Sequence, residues 1–178
     1  MAHAKGSIAV VFGSNAPQDG EPDYAEAREL GRLLAQAGYV VTTGGYFGTM
    51  EAASRGAKEA GGYVIGVTTS LFDDRRLHAN AYLDEEIKLP TLFERLHRLV
   101  TIADAWVALP GGIGTLSEVA LTWSLMQVGE MQRRPFVLVG EQWRTTIGTF
   151  SSDYYVRPQH RDLIKYADHV TQVVDLLK

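Results

Sequence analysis

Three short apolar runs in this chain each stop at glycine, and a helix-like pattern follows each of them. Ser7–Phe12 ends at Gly13-Ser14, Tyr39–Thr43 at Gly44-Gly45, and Ala105–Leu109 at Pro110-Gly111-Gly112. Such runs lack the polar alternation of a half-exposed strand, so each reads as a strand covered on both faces. Tyr63–Val67 and Pro135–Val139 are two more of the same kind. Between the runs the spacing predicts helices over 23–37, 50–60, 91–103, 115–128 and 142–150, with shorter helical stretches near 159–165 and 172–178. Asp23 with Glu26, Thr91 with Glu94 and Thr115 with Glu118 each have capping-box spacing. Residues 68–89 show weak periodicity and are read as a connection, with Asp73-Asp74-Arg75-Arg76 a solvated charged stretch.

Alternation of strand and helix along the whole chain predicts an α/β fold. The expected architecture is a Rossmann-like, doubly wound parallel sheet with helices on both faces and right-handed crossovers. Ligands in such sheets bind outside the carboxyl ends of the strands, near the switch in strand order. The loops at Gly13-Ser14, at Gly44-Gly45 with Gly48, and at Gly111-Gly112 with Gly114 all follow strand ends. They are therefore expected to converge on one edge of the sheet.

Composition narrows the function classes. At 178 residues the chain fits one domain, 1–178. A formal net charge of −4 argues against nucleic acid as the main partner. With no cysteine, neither structural disulfides nor thiolate chemistry is available. The start, Met1–Gly6, lacks the apolar stretch of a secretory signal, and no apolar run is long enough to span a bilayer. A cytoplasmic protein without membrane partners is expected. The histidines show no metal-ligand spacing, and nothing in the sequence calls for a metal or cofactor.

A helix that starts just after a glycine turn presents unpaired N–H groups and a partial positive charge, which suits a phosphate. Gly111-Gly112-Ile113-Gly114-Thr115 has that arrangement, and Thr115 adds a hydroxyl. Neither the GxGxxG nor the GxxxxGK[ST] pattern is present, so dinucleotide and triphosphate sites of the common kinds are disfavoured. Glu118 shares a stripe with Leu121 and Leu125, while Leu116, Ala120 and Trp123 form another on the far side. A helix apolar on two sides is buried in the core or in a subunit interface, and a carboxylate there can have a shifted pKa. Arg95 borders the apolar face formed by Leu92, Leu96, Leu99 and Ala103, where a guanidinium can serve as a fixed fork for phosphate or a base. Arg98 points further away and is placed to pair with Glu94 on the surface. Glu51 has two readings, a helix-dipole residue or a member of the site. Trp106 and Trp123 are read as core.

Pro110-Gly-Gly-Ile-Gly-Thr-Leu-Ser-Glu118 resembles the PGGxGTxxE signature of the LOG family, the cytokinin riboside 5′-monophosphate phosphoribohydrolases formerly labelled lysine decarboxylase-like. Val11-Phe-Gly-Ser14 resembles that family's first loop, and Gly44-Gly-Tyr-Phe-Gly-Thr-Met50 its GGGxxGLM segment. Arg95 has the spacing of the Arg in the family's ERK element, and Arg157–Asp168 resembles its carboxyl-terminal part. The chain departs from the pattern at Leu96, where the family has Lys, at Tyr46, which follows a run of two glycines where the family has three, and at Glu51, where it has Gly. The resemblance implies an N-glycosidase acting on an AMP-like nucleoside 5′-monophosphate, without a cofactor. Glu118 and Arg95 would be catalytic, the glycine loops with Thr115 would hold the phosphate, and Met50 would lie close by. It also implies a homodimer. A related branch with the same loop contains molybdenum-cofactor carrier proteins, which gives a second expectation of binding without hydrolysis.

Overall fold

A computed structural model describes residues 6–75 and 77–178. Met1–Lys5, and Arg76 of the charged stretch, lie outside the described residues. The chain runs β1 (Ile8–Phe12), α1 (Pro22–Gln36), β2 (Val40–Thr43), α2 (Thr49–Glu59), β3 (Val64–Thr69), a 3₁₀ turn (Ser70–Arg75) and β4 (Glu85–Leu89). It continues through α3 (Leu92–Thr101), β5 (Ala105–Ala108), α4 (Ile113–Val128), β6 (Phe136–Val139), α5 (Glu141–Phe150), α6 (Pro158–Arg161), β7 (Lys165–Ala167), a second 3₁₀ turn (Val170–Gln172) and α7 (Val173–Leu176).

The strands form one seven-stranded sheet in the order β4-β3-β2-β1-β5-β6-β7, parallel throughout. The order reverses between β1 and β5, where Val10 pairs with Thr42 on one side and Trp106 on the other. Alternation along β1 sends its side chains into two cores. Ala9 and Val11 pack with α1, α2 and α7 through Leu30, Ala53 and Val173, while Val10 and Phe12 pack with α3, α4 and α5 through Leu99, Trp123 and Trp143. Burial on both faces is the reason the central strands read as unbroken apolar runs. The expected doubly wound α/β architecture is the observed one. Trp106 and Trp123 are both buried, and each satisfies its indole N–H on a carbonyl, of Val100 and His160 respectively.

The sheet is wider than the sequence pattern implied. The connection at 68–89 contains β4, and the expected helix near 159–165 gives way to α6 and then β7. Both extra strands are sheet edges with a single neighbour. An edge strand tolerates charge on its open face, so Glu85-Glu-Ile-Lys-Leu89 keeps only Ile87 and Leu89 packed against the core. Among the described residues no helix is long and apolar enough to cross a membrane.

None of the three expected capping boxes forms in full. Helix α1 starts at Pro22 with Glu21 as its cap residue, and the Glu21 carboxylate accepts from the Gln18 amide instead. Helix α4 starts at Ile113, two residues earlier than expected, with extended Gly112 as its cap residue; at Gly111 a Cβ would lie 2.2 Å from the Thr115 hydroxyl oxygen. The third box is half formed: the Thr91 hydroxyl accepts from the Glu94 amide, but it also donates to the Glu94 carboxylate, which is the acid expected to pair with Arg98. The two-sided character of α4 is also narrower than expected, since Ala120 is exposed and Leu116, Leu121 and Leu125 are half-buried. Its buried stripe is Thr115, Glu118, Val119, Thr122, Trp123 and Met126.

Helices α1 and α2 cross at Gly31 and Gly56. A Cβ at Gly31 would lie 1.9 Å from the Ala53 carbonyl oxygen, and one at Gly56 would lie 1.8 Å from that of Arg28. Helix propensity favours alanine at either site by about 1 kcal/mol, but the obstructing atoms are backbone, and separating two packed helices costs more. Gly31→Ala is therefore expected to destabilise the fold by about 1–3 kcal/mol. The urea unfolding midpoint measures this, and an unchanged or raised midpoint would show that the crossing is not close-packed.

Candidate functional site

The loops after β1, β2 and β5 meet above the boundary where the strand order reverses, as expected for ligand sites in such sheets. They enclose a cavity of about 400 Å³, a volume suited to a small molecule. Gly13, Ser14 and Asn15 come from the first loop; Tyr46, Phe47 and Met50 from the second; and Gly112, Ile113, Gly114, Thr115 and Glu118 from the third and its helix. Arg95 enters from α3, and Phe72, Leu77 and Leu92 close the remaining side.

Interlocking hydrogen bonds fix the loops to one another. The Thr115 hydroxyl donates to the Gly13 carbonyl at 3.0 Å, which ties the start of α4 to the end of β1. The amide and hydroxyl of Thr49 both donate to the Ser14 carbonyl, at 2.9 and 3.1 Å. The first amide of α2 is thereby taken by protein, unlike that of α4. The first intrahelical bond of α4 runs from Leu116 N–H to Gly112 O, so the amides of Ile113, Gly114 and Thr115 precede the ladder at the cavity wall. Behind the turn, the Gln142 side chain brackets the Gly111 peptide. Its Oε1 accepts from Gly111 N–H at 3.0 Å and its Nε2 donates to Gly111 O at 2.9 Å.

Arg95 and Glu118 supply the charge. Each is only 8% exposed, yet no N–O distance between them falls within 4.0 Å, because neither takes part in an ion pair. Arg95 is held by protein carbonyls: its Nε donates to Val67 O at 2.8 Å and its Nη2 to Gly44 O at 3.0 Å. Burial pulls the Arg95 pKa below its usual value, offset in part by Glu118. Burial pushes the Glu118 carboxyl up to about 7, with Arg95 acting against the rise. Glu118 can thus carry or release a proton near neutrality.

The structure separates the residues singled out in the sequence. Gly13, Ser14, Met50, Arg95, Gly112, Gly114, Thr115 and Glu118 line the cavity, whereas Gly44, Gly45, Gly48, Gly111 and Glu51 do not. Gly44 lies under Arg95, where a Cβ would meet Nη2 at 2.1 Å. Gly48 caps α2 at φ +68° against the backbone of Ser14 and Asn15. Glu51 stands in the first turn of α2, where its charge raises the Tyr24 pKa, a minor effect beside burial. Ile113 lines the cavity as part of the expected phosphate loop, while Asn15, Tyr46, Phe47, Phe72, Leu77 and Leu92 were not expected as cavity residues, nor Gln142 as the bracket. Of these, Tyr46 carried a signal, as a departure from the family's glycine run.

Comparison with known proteins places the chain. The sequence model of the SLOG cluster4 family matches residues 7–154. A Mycobacterium tuberculosis protein named cytokinin riboside 5′-monophosphate phosphoribohydrolase is 31% identical over 160 residues, 84% of each chain. The Arabidopsis thaliana cytokinin riboside 5′-monophosphate phosphoribohydrolase LOG5 is 27% identical over 143 residues, 78% of this chain but 62% of its own length, so this chain spans less than two thirds of that relative. Among solved structures, the molybdenum cofactor binding protein from the phototrophic bacterium Rippkaea orientalis superposes with a TM-score of 0.75 at 26% identity, covering 98% of this chain and 96% of that one. The match over most of its length means that the chain belongs to the SLOG cluster4 group of the LOG family.

Proposed function

We propose that this protein is a nucleoside 5′-monophosphate phosphoribohydrolase, releasing free base and ribose 5-phosphate from an AMP-like substrate. The observation that carries the reading is the placement of buried Glu118 and buried Arg95 on one cavity with the amino end of α4. In this reading the 5′-phosphate docks on the amides of Gly112–Thr115, where the helix dipole favours an anion. The base lies toward the apolar side formed by Phe47, Phe72, Leu77 and Leu92. Glu118 in its carboxylate form stabilises the oxocarbenium-like ribose as the glycosidic C–N bond breaks, and it orients the incoming water. The water hydroxyl adds to C1′ and its proton ends on the base. Arg95 orients the nucleotide and stabilises charge on the departing base.

The named family relatives support hydrolysis. The Rippkaea likeness favours a second reading, in which the same cavity binds a phosphorylated ligand and releases it unchanged. Incubation of purified protein with AMP and related monophosphates, followed by chromatography, distinguishes the two. Free base is expected from at least one of them. Tight binding with no release from any would establish the carrier reading. Glu118→Gln is expected to lower kcat by about a hundredfold or more while leaving nucleotide affinity nearly intact.

A stability consequence follows from the same carboxyl. Folded Glu118 keeps its proton up to about pH 7, whereas the unfolded chain loses it near 4.5. The folded state therefore binds more protons in that window, and stability falls as pH rises through it. Glu118→Gln removes this penalty. Its Tm is expected to exceed the wild-type Tm at pH 8 and to approach it at pH 5; a constant offset across that range would mean Glu118 is not the responsible group.

We also propose a homodimer in the cytoplasm, with no membrane or nucleic-acid partner. The half-exposed Leu116, Leu121 and Leu125 on α4 support self-association. Sedimentation at micromolar concentration is expected to give twice the 19.6 kDa chain mass; a monomer would overturn the dimer.

A further inference from the structure

Tyr46 follows Gly44-Gly45, a run of two glycines where the resembling segment has three, and the structure gives it a defined job. It is 5% exposed. Its hydroxyl grips both ends of one residue at the end of β3, donating to Thr69 O at 3.1 Å and accepting from Thr69 N–H at 2.9 Å. Its main chain is fixed as well. Asn80 Nδ2 donates to Tyr46 O at 3.0 Å, and Asn80 N–H donates to Gly45 O at 2.9 Å. A ring held at both ends cannot swing.

The face of that ring lies against Arg95, with Cζ 5.4 Å from the ring centroid, inside the range of a cation–π contact. Phe72 backs the ring at a centroid distance of 5.5 Å. Arg95 hangs from the same strand through Val67 O and from the preceding loop through Gly44 O. These bonds commit part of the guanidinium fork, and its other N–H groups remain for whatever occupies the cavity. Two carbonyls hold the fork along one edge only. The aromatic face supplies the constraint against rotation out of that plane, and it supplies favourable charge density to a buried cation with no carboxylate in contact.

We propose that Tyr46 is a positioning residue for Arg95: its clamped ring holds the guanidinium in the orientation that meets a bound nucleotide. The proposal rests on the reading of Arg95 as a nucleotide-contacting group, and its test separates the two.

The experiment compares wild type with Tyr46→Leu, Tyr46→Phe and Arg95→Gln by thermal unfolding, by arginine side-chain ¹⁵N–¹H spectra of the ligand-free protein, and by steady-state kinetics with AMP. Arg95→Gln assigns the Arg95 signal. In wild type that signal is expected to be shifted by the ring and slow to exchange. In folded Tyr46→Leu it should lose the shift and exchange faster, with kcat/KM lower by about tenfold, mainly through kcat. Tyr46→Phe, which keeps the ring but frees its far end, should exchange at an intermediate rate, with kcat/KM within about threefold of wild type. An Arg95 signal and kinetics unchanged in Tyr46→Leu overturn the proposal. If Tyr46→Leu does not fold, Tyr46→Phe decides, and an Arg95 exchange rate identical to wild type overturns it. Should Arg95→Gln leave AMP binding and turnover unchanged while the Tyr46 variants still loosen the guanidinium, Arg95 loses its substrate role and the positioning role stands.

Discussion

Arg95 and Glu118 are withdrawn from water without being joined to each other, and the architecture around the cavity is arranged to hold them that way. A buried charge needs compensation. Arg95 receives it from a carbonyl within β3, one just after β2, and an aromatic face. Glu118 receives it only from the more distant field of Arg95 and responds by retaining its proton toward neutrality. Had the two paired directly, Glu118 would be an ordinary low-pKa acid and the cavity would be bridged. Their separation is set by the sheet. Arg95 hangs from β3 and from the loop after β2, while Glu118 rides on α4, which follows β5 on the other side of β1. The reversal of strand order thus positions the site and also keeps its charges apart.

What was legible in the sequence was what lies contiguous in it. The central strands showed as apolar runs because both their faces are covered. The Pro110–Thr115 turn and Glu118 fall within nine residues and could be read together. Arg95 was singled out by its helical-wheel position at the border of an apolar face and by its spacing in a resembling element, and neither gave a sign of its 8% exposure. The edge strands β4 and β7 were missed because a strand with one neighbour does not need an apolar run. Thr115 illustrates a different failure. Its spacing to Glu118 fits a cap, but its hydroxyl is used across a sequence separation of 102 residues, on Gly13. Gln142 and Phe72 likewise act through partners that local pattern does not reveal.

The glycine loops turn out to have distinct duties. The third presents the unpaired amides of a helix start to the cavity. The second is built around Arg95: Gly44 leaves room for the guanidinium, and Tyr46 flanks it. This division of labour accounts for both family readings of the fold. The α4 amides suit any phosphorylated ligand, so they do not separate a hydrolase from a carrier. A carboxyl poised near neutrality beside a fixed arginine adds a chemical capability that holding a ligand does not require.

The most direct measurement is the titration of the Glu118 side-chain carboxyl by ¹³C NMR, in wild type and in Arg95→Gln. Coupled but unjoined buried charges predict a midpoint near 7 in wild type and a higher one once the arginine charge is gone. A midpoint near 4.5, the ordinary value for a glutamate, with no response to Arg95, would contradict the account.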